Sequence, residues 1–139
     1  MKTKLTRADY PLAETAPDRI LGGRGRALDD LTMEGVLAGE ITIEDLRITS
    51  DALKAQAEIA RVAGRPTLAA NFERGAELVA VPQDLIMETY EMLRPGRVRE
   101  WRVLQDRAEM FRRVYGAEEI ARFIETAAEI YRRRGLMPR

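Results

Sequence analysis

Two residue types are missing from this 139-residue chain: it has no cysteine and no histidine. Without cysteine there are no disulfides, zinc–thiolate sites or thiol nucleophiles. Without histidine nothing titrates near neutrality unless a carboxylate is strongly raised, and the commonest general base is absent. Other reactive groups are scarce. Ser50 is the only serine, with no imidazole to activate it, and lysine is confined to Lys2, Lys4 and Lys54. Aromatic residues make up 6% of the chain. Long apolar runs are lacking too: Leu78-Val79-Ala80-Val81 is the longest, and Pro82 stops it. That is far short of the roughly 20 residues of a membrane span, and short of a signal-peptide core. With no export signal and no disulfides, the expected compartment is the cytoplasm. The usual equipment for catalysis or transition-metal binding is not there.

What is present suits a folded domain: 45% hydrophobic and 33% charged residues, too apolar for disorder. The length fits one domain and excludes a (β/α)₈ barrel of about 250 residues. The net charge is zero, yet unevenly laid out. Residues 1–30 carry six basic and five acidic side chains, residues 31–93 five and eleven, and residues 94–139 twelve and seven. An acidic middle and a basic end can serve docking on partners of complementary potential, or can simply be solvated helix faces.

Residues 1–28 read as an extended arm. Pro11, Pro17 and Gly22-Gly23-Arg24-Gly25-Arg26 break any helical period, and Tyr10, Leu12, Ile20 and Leu21 are its apolar anchors. The glycines lack the preceding strand and the following GK[ST] of a phosphate-binding loop, so a flexible or partner-draped linker is the better reading. Residues 29–139 read as one helical domain, with 29–95 before a terminal pair of helices at 96–139. Asp30 or Thr32 opens a short helix carrying Met33, Val36 and Leu37, which Gly39 ends. Thr42 and Asp45 resemble a capping box. Thr49 or Ser50 caps a helix running to about Ala63, and Gly64 supplies its left-handed stop. Pro66 opens the next helix and Pro82 another, closed at Leu93-Arg94-Pro95.

Two seams at gaps of three and four follow, Trp101/Leu104/Ala108/Phe111/Tyr115 and Ala117/Ile120/Ile124/Ala127/Tyr131, meeting at Gly116. They predict an antiparallel helical hairpin; one long kinked helix is the competing reading. With no strand pattern anywhere, the fold class is all-α: a small irregular helical bundle with an extended N-terminal arm and that hairpin. The middle helices are apolar on more than one face. Leu53, Ala57 and Ala60 form one stripe and Ala52, Ala55, Ile59 and Val62 a second, while Leu68, Phe72, Ala76 and Val79 line the following helix. Such helices are buried on more than one side. The expectation is that part of this surface faces another chain; a compact alanine-rich bundle is the alternative.

Chemistry is hard to place. The carboxylate pairs Asp29-Asp30, Glu44-Asp45 and Glu118-Glu119 are sequence neighbours that point apart and suit helix starts. Arg112-Arg113 and Arg132-Arg133-Arg134 could touch phosphates, but the second group fills a last helical turn, where cations are favoured anyway. No nucleic-acid partner is expected. Arg65, Arg74 and Arg94 lie near helix ends beside apolar stripes, where a guanidinium fork can hold a partner's carboxylate or carbonyl.

Ordered blocks then resemble a known family. They run from Asp9-Tyr10-Pro11-Leu12-Ala13 through Leu28-Asp29-Asp30 and Val36-Leu37 to Asp45-Leu46-Arg47-Ile48-Thr49 and Ala63-Gly64-Arg65. Most specific is Leu68-Ala69-Ala70-Asn71-Phe72-Glu73-Arg74, followed by Ala80-Val81-Pro82 and Leu93-Arg94-Pro95. The sequence resembles the small (gamma) subunits of adenosylcobalamin-dependent glycerol and diol dehydratases, over roughly residues 9–95. The resemblance implies a mostly helical, non-catalytic subunit of an enzyme that turns a 1,2-diol or glycerol into an aldehyde and water through a substrate radical. It implies that the reacting centre lies in the large subunit and adenosylcobalamin between the large and medium subunits. It further implies that the small subunit packs mainly on the large one, within a dimer of heterotrimers. The interface residues carried over are Tyr10, Leu12, Arg47, Arg65, Asn71, Phe72, Arg74 and Arg94. Gly75 and Gly96 depart from the family pattern, and the start resembles the shorter glycerol-type members. Cytoplasmic placement is expected, with enclosure in a bacterial microcompartment left open. An independent helical adaptor is the alternative function.

Overall fold

The caps and breakers legible in the sequence mark real boundaries in the computed structural model, which describes residues 4–137. The α-helices are α1 (Leu12–Thr15), α2 (Met33–Leu37), α3 (Ile43–Leu46), α4 (Ser50–Val62), α5 (Pro66–Leu78), α6 (Gln83–Leu93), α7 (Trp101–Tyr115) and α8 (Glu118–Arg133). Thr32 and Thr49 cap α2 and α4 by accepting from the Gly35 and Ala52 amides. The Thr42–Asp45 capping box starts α3, Pro66 opens α5 and Pro82 precedes α6. Gly39, Gly64 and Gly116 take the left-handed conformation that ends a helix without a Cβ penalty. Among the described residues there is no strand, only an isolated antiparallel bridge between Leu21 and Ala27. The chain is all-α, and it divides into two compact units, Met1–Val79 and Ala80–Arg139.

In the first unit α4 is buried on two sides. Ala57 and Ala60 meet Ala69 of α5, with Phe72 packed against them. Three alanines at this contact let the two helices approach closely. Ala55 and Ile59, on another face of α4, pack with Leu5 and Leu12, and Ala16 and Ile20 close the edge. The Leu5 amide also donates to Glu58 Oε2 at 3.2 Å. Ala55 and Ile59 of the second α4 stripe are therefore covered by the chain's own residues 5–20, while Val62 of the same stripe is exposed. Leu5, absent from the expected anchors, is buried, whereas Tyr10 and Leu21 are exposed. The arm itself runs through short 3₁₀ turns at Arg7–Asp9, Pro17–Arg19 and Leu28–Asp30 around α1.

The Gly-Arg stretch also differs from the linker expectation: it is a clamp. Gly22 and Gly23 lie against the backbone of α3, where a Cβ on Gly22 would collide with the Asp45 carbonyl. Arg24 Nε sits 2.8 Å from Asp45 Oδ1 and Arg26 Nε 3.4 Å from the same oxygen. Both guanidiniums also donate to the Glu40 carbonyl, at 3.2 and 3.0 Å. Glycine is needed here because two backbones touch, and arginine because a fork can reach a carboxylate and a carbonyl together.

In the second unit α7 and α8 form the expected hairpin about Gly116, not a single kinked helix. Leu104, Ala108 and Phe111 meet Ala117, Ile120, Ala121, Ile124 and Ala128, all buried. The α8 seam thus runs through Ala121 and Ala128, with Ala127 only half-buried at its edge. Arg112 binds Glu109, Glu118 and Glu125 at 3.0, 2.8 and 3.0 Å, which ties the two helices together. The α6 helix joins through Arg107, 2.8 Å from Glu88, and through the Tyr131 hydroxyl, which donates to the Leu93 carbonyl at 2.5 Å.

Candidate functional site

Several of the carboxylates and arginines singled out in the sequence are engaged within the chain. Asp45 is fully buried. The Thr42 amide holds its carboxyl below the ordinary carboxylate range, with Arg24 and Arg26 adding to that effect against the cost of burial. Glu118 is likewise lowered, first by its bond from Arg112. A general acid at neutral pH needs the opposite shift. The Arg112 guanidinium is raised by three carboxylate partners, and Arg132 and Arg133 both pair with Glu129. Charges neutralised within the chain are poorly placed to hold phosphates. Among the described residues, no group of three or more Asp, Glu, His or Cys could hold a metal ion. No helix there is long and apolar enough to cross a membrane.

Surface is what the fold offers instead. In the first unit an open groove of about 670 Å³ lies between the arm, α4 and α5. Ile59, Ala60, Leu68 and Phe72 line it, with Arg7, Tyr10 and Arg65 around them. The arm positions Tyr10 and Arg7. Arg65 stands at the N-cap of α5 because Gly64 and Pro66 break the chain there. Three of the sequence-derived residues, Tyr10, Arg65 and Phe72, thus meet in one place. Phe72 is half-buried, one side against the alanines of the helix pair and the other open to the groove.

The other residues lie elsewhere. Leu12 is 2% exposed and packs inside the chain, so it holds the arm and presents nothing to a partner. Asn71 accepts from Arg74 on the same helix, one turn away. Arg47 pairs with Glu44 at 3.3 Å beside a smaller recess of about 290 Å³ lined by Leu46 and Ile48. Arg94 belongs to the second unit, 3.1 Å from Glu91 at the end of α6.

Sequence reasoning passed over Arg7 at the groove and, more seriously, the face of α2 and α3. Met33, Leu37 and Ile43 are 69%, 81% and 69% exposed, with Val36, Leu46 and Ile48 also in solvent. Residues 27–46 contain six acidic and no basic side chains, and all but Asp45 of those acids are exposed. Exposed apolar side chains among acidic residues are the kind of surface that partner chains cover. The missed signal was an amphipathic pattern in helices of only five and four residues, too short to bury their own apolar face.

Comparison with known proteins decides between an unattached adaptor and a subunit. Residues 5–138 match the family described as dehydratase small subunit. The chain belongs to that family. It is 45% identical over 123 residues to the propanediol dehydratase small subunit of Citrobacter freundii, covering 88% of this chain and 71% of that protein. It is 44% identical over 124 residues to the propanediol dehydratase small subunit of Salmonella typhimurium strain LT2, covering 89% and 71%. In a small subunit, short helices with exposed apolar side chains are physically coherent, since such surface can be covered by another chain.

Proposed function

We propose that this chain is the non-catalytic small subunit of an adenosylcobalamin-dependent propanediol or glycerol dehydratase. Such an enzyme turns a 1,2-diol or glycerol into an aldehyde and water by a radical route. The family match over residues 5–138 carries the reading, and the exposed apolar face of α2 and α3 supports it. The cofactor supplies radical initiation in such enzymes. We assign adenosylcobalamin to the large and medium subunits, as the family resemblance implies, and route no step through this chain. Its part is to brace the large subunit, its main contact, within a dimer of heterotrimers. The complex is placed in the cytoplasm, free or inside a bacterial microcompartment.

The test is co-expression of the large and medium subunits with and without this chain, followed by complex size and cofactor-dependent aldehyde formation. Loss of assembly or activity without the chain supports the proposal; unchanged assembly and activity defeat it. An independent helical adaptor, which predicts a self-sufficient monomer or homodimer, is not favoured by the family match.

A further inference from the structure

The groove between the arm, α4 and α5 has an unbalanced charge pattern. In the same unit Arg24 and Arg26 pair with Asp45, Arg47 with Glu44, and Arg61 with Glu73. Arg7 and Arg65 differ: both line the groove, and among the described residues neither guanidinium has a hydrogen-bond or ion-pair partner. No acidic side chain lines the groove, whose wall mixes the polar groups of Tyr10 and Gln56 with the apolar Ile59, Leu68 and Phe72. Two unmatched forks beside an apolar recess complement one ligand chemistry, an apolar side chain accompanied by carboxylate. A volume of about 670 Å³ lies within the roughly 300–1,000 Å³ typical of ligand pockets, enough for a few side chains of an extended segment.

We propose that this groove receives an extended segment of the dehydratase large subunit carrying an aliphatic or aromatic side chain next to one or two carboxylates. The inference rests on the small-subunit reading above and names what that subunit grips. A second copy of this chain is a poorer occupant. Its own acidic, apolar stretch at residues 28–46 is folded into α2 and α3 and held by the Arg24–Asp45 clamp. Arg7 and Arg65 place the carboxylates, while Leu68 and Phe72 take the apolar group.

The test compares complexes reconstituted from tagged large subunit, medium subunit and variants of this chain, with dissociation of the small subunit followed by interferometry at several salt concentrations. Because both guanidiniums are unpaired among the described residues, Arg7→Glu/Arg65→Glu is expected to keep the wild-type circular dichroism and melting temperature. It should weaken binding about tenfold or more and flatten its salt dependence. Arg102→Glu, the same charge reversal at an exposed site in the second unit, should bind as wild type. A photo-cross-linker at Leu68 should capture an acidic, apolar segment of the large subunit. Equal affinity and salt dependence for the double variant would overturn the groove proposal alone. So would a cross-link to the medium subunit or to a second copy. Failure of the wild-type chain to join the complex overturns the small-subunit reading, and this proposal falls with it.

Discussion

Asp45 shows how much one residue can organise. Its Oδ2 accepts from the Thr42 amide at 2.9 Å, and its Oδ1 faces Arg24 and Arg26. The folded carboxyl is thus held below its unfolded value of about 3.9, first by the Thr42 amide. A lowered folded pKa stabilises above the unfolded pKa, and that contribution disappears as pH falls through the folded value. Asp45→Asn should therefore melt below wild type at pH 7, with the gap narrowing as pH drops below about 4; a gap independent of pH would contradict this role. Leu12→Ala should cost about 2–5 kcal/mol in denaturant unfolding, because the side chain is almost fully buried between the arm and α4. Phe72, half-buried, should cost only about 1–2 kcal/mol on truncation to alanine, while Phe111→Ala should cost roughly 3–5 kcal/mol. Equal losses for the two rings would place Phe72 in the core and remove it from the groove. At this scale the capping box was legible, since Thr and Asp three apart have one local use. The two arginines that complete Asp45 lie about twenty residues upstream, beyond any local pattern.

Among the elements, helices were read well because their stops are chemical: Gly64, Pro66, Pro82 and Gly116 act through backbone geometry alone. Partners were read less well. The second stripe of α4 pointed correctly to burial on two sides, but periodicity says nothing about what does the covering, and here it is residues 5–20. The Gly-Arg stretch looked like a linker because close approach of two backbones leaves no periodic trace. That clamp ties residues 22–26 to α3 and to the Glu40 carbonyl that precedes it. Gly22→Ala, which sets a methyl against the Asp45 carbonyl, should accelerate amide hydrogen exchange across residues 21–48 while α4 and α5 keep their protection. Unchanged exchange in 21–48 would mean the clamp does not order that segment.

For the molecule as a whole, the missing residues informed the reading as much as those present: without histidine or cysteine, the thiol and imidazole routes to catalysis are closed to this chain. The family was legible because its blocks sit in order along the chain, but the exposed apolar side chains of α2 and α3 were not, since uncovered apolar surface becomes visible only after folding. The account stands on the claim that this surface is completed by dehydratase subunits. Native mass spectrometry of this chain co-expressed with the large and medium subunits addresses it directly. The account predicts one particle containing all three chains in equal number, two of each. A large–medium particle of full size beside this chain free in solution would contradict it.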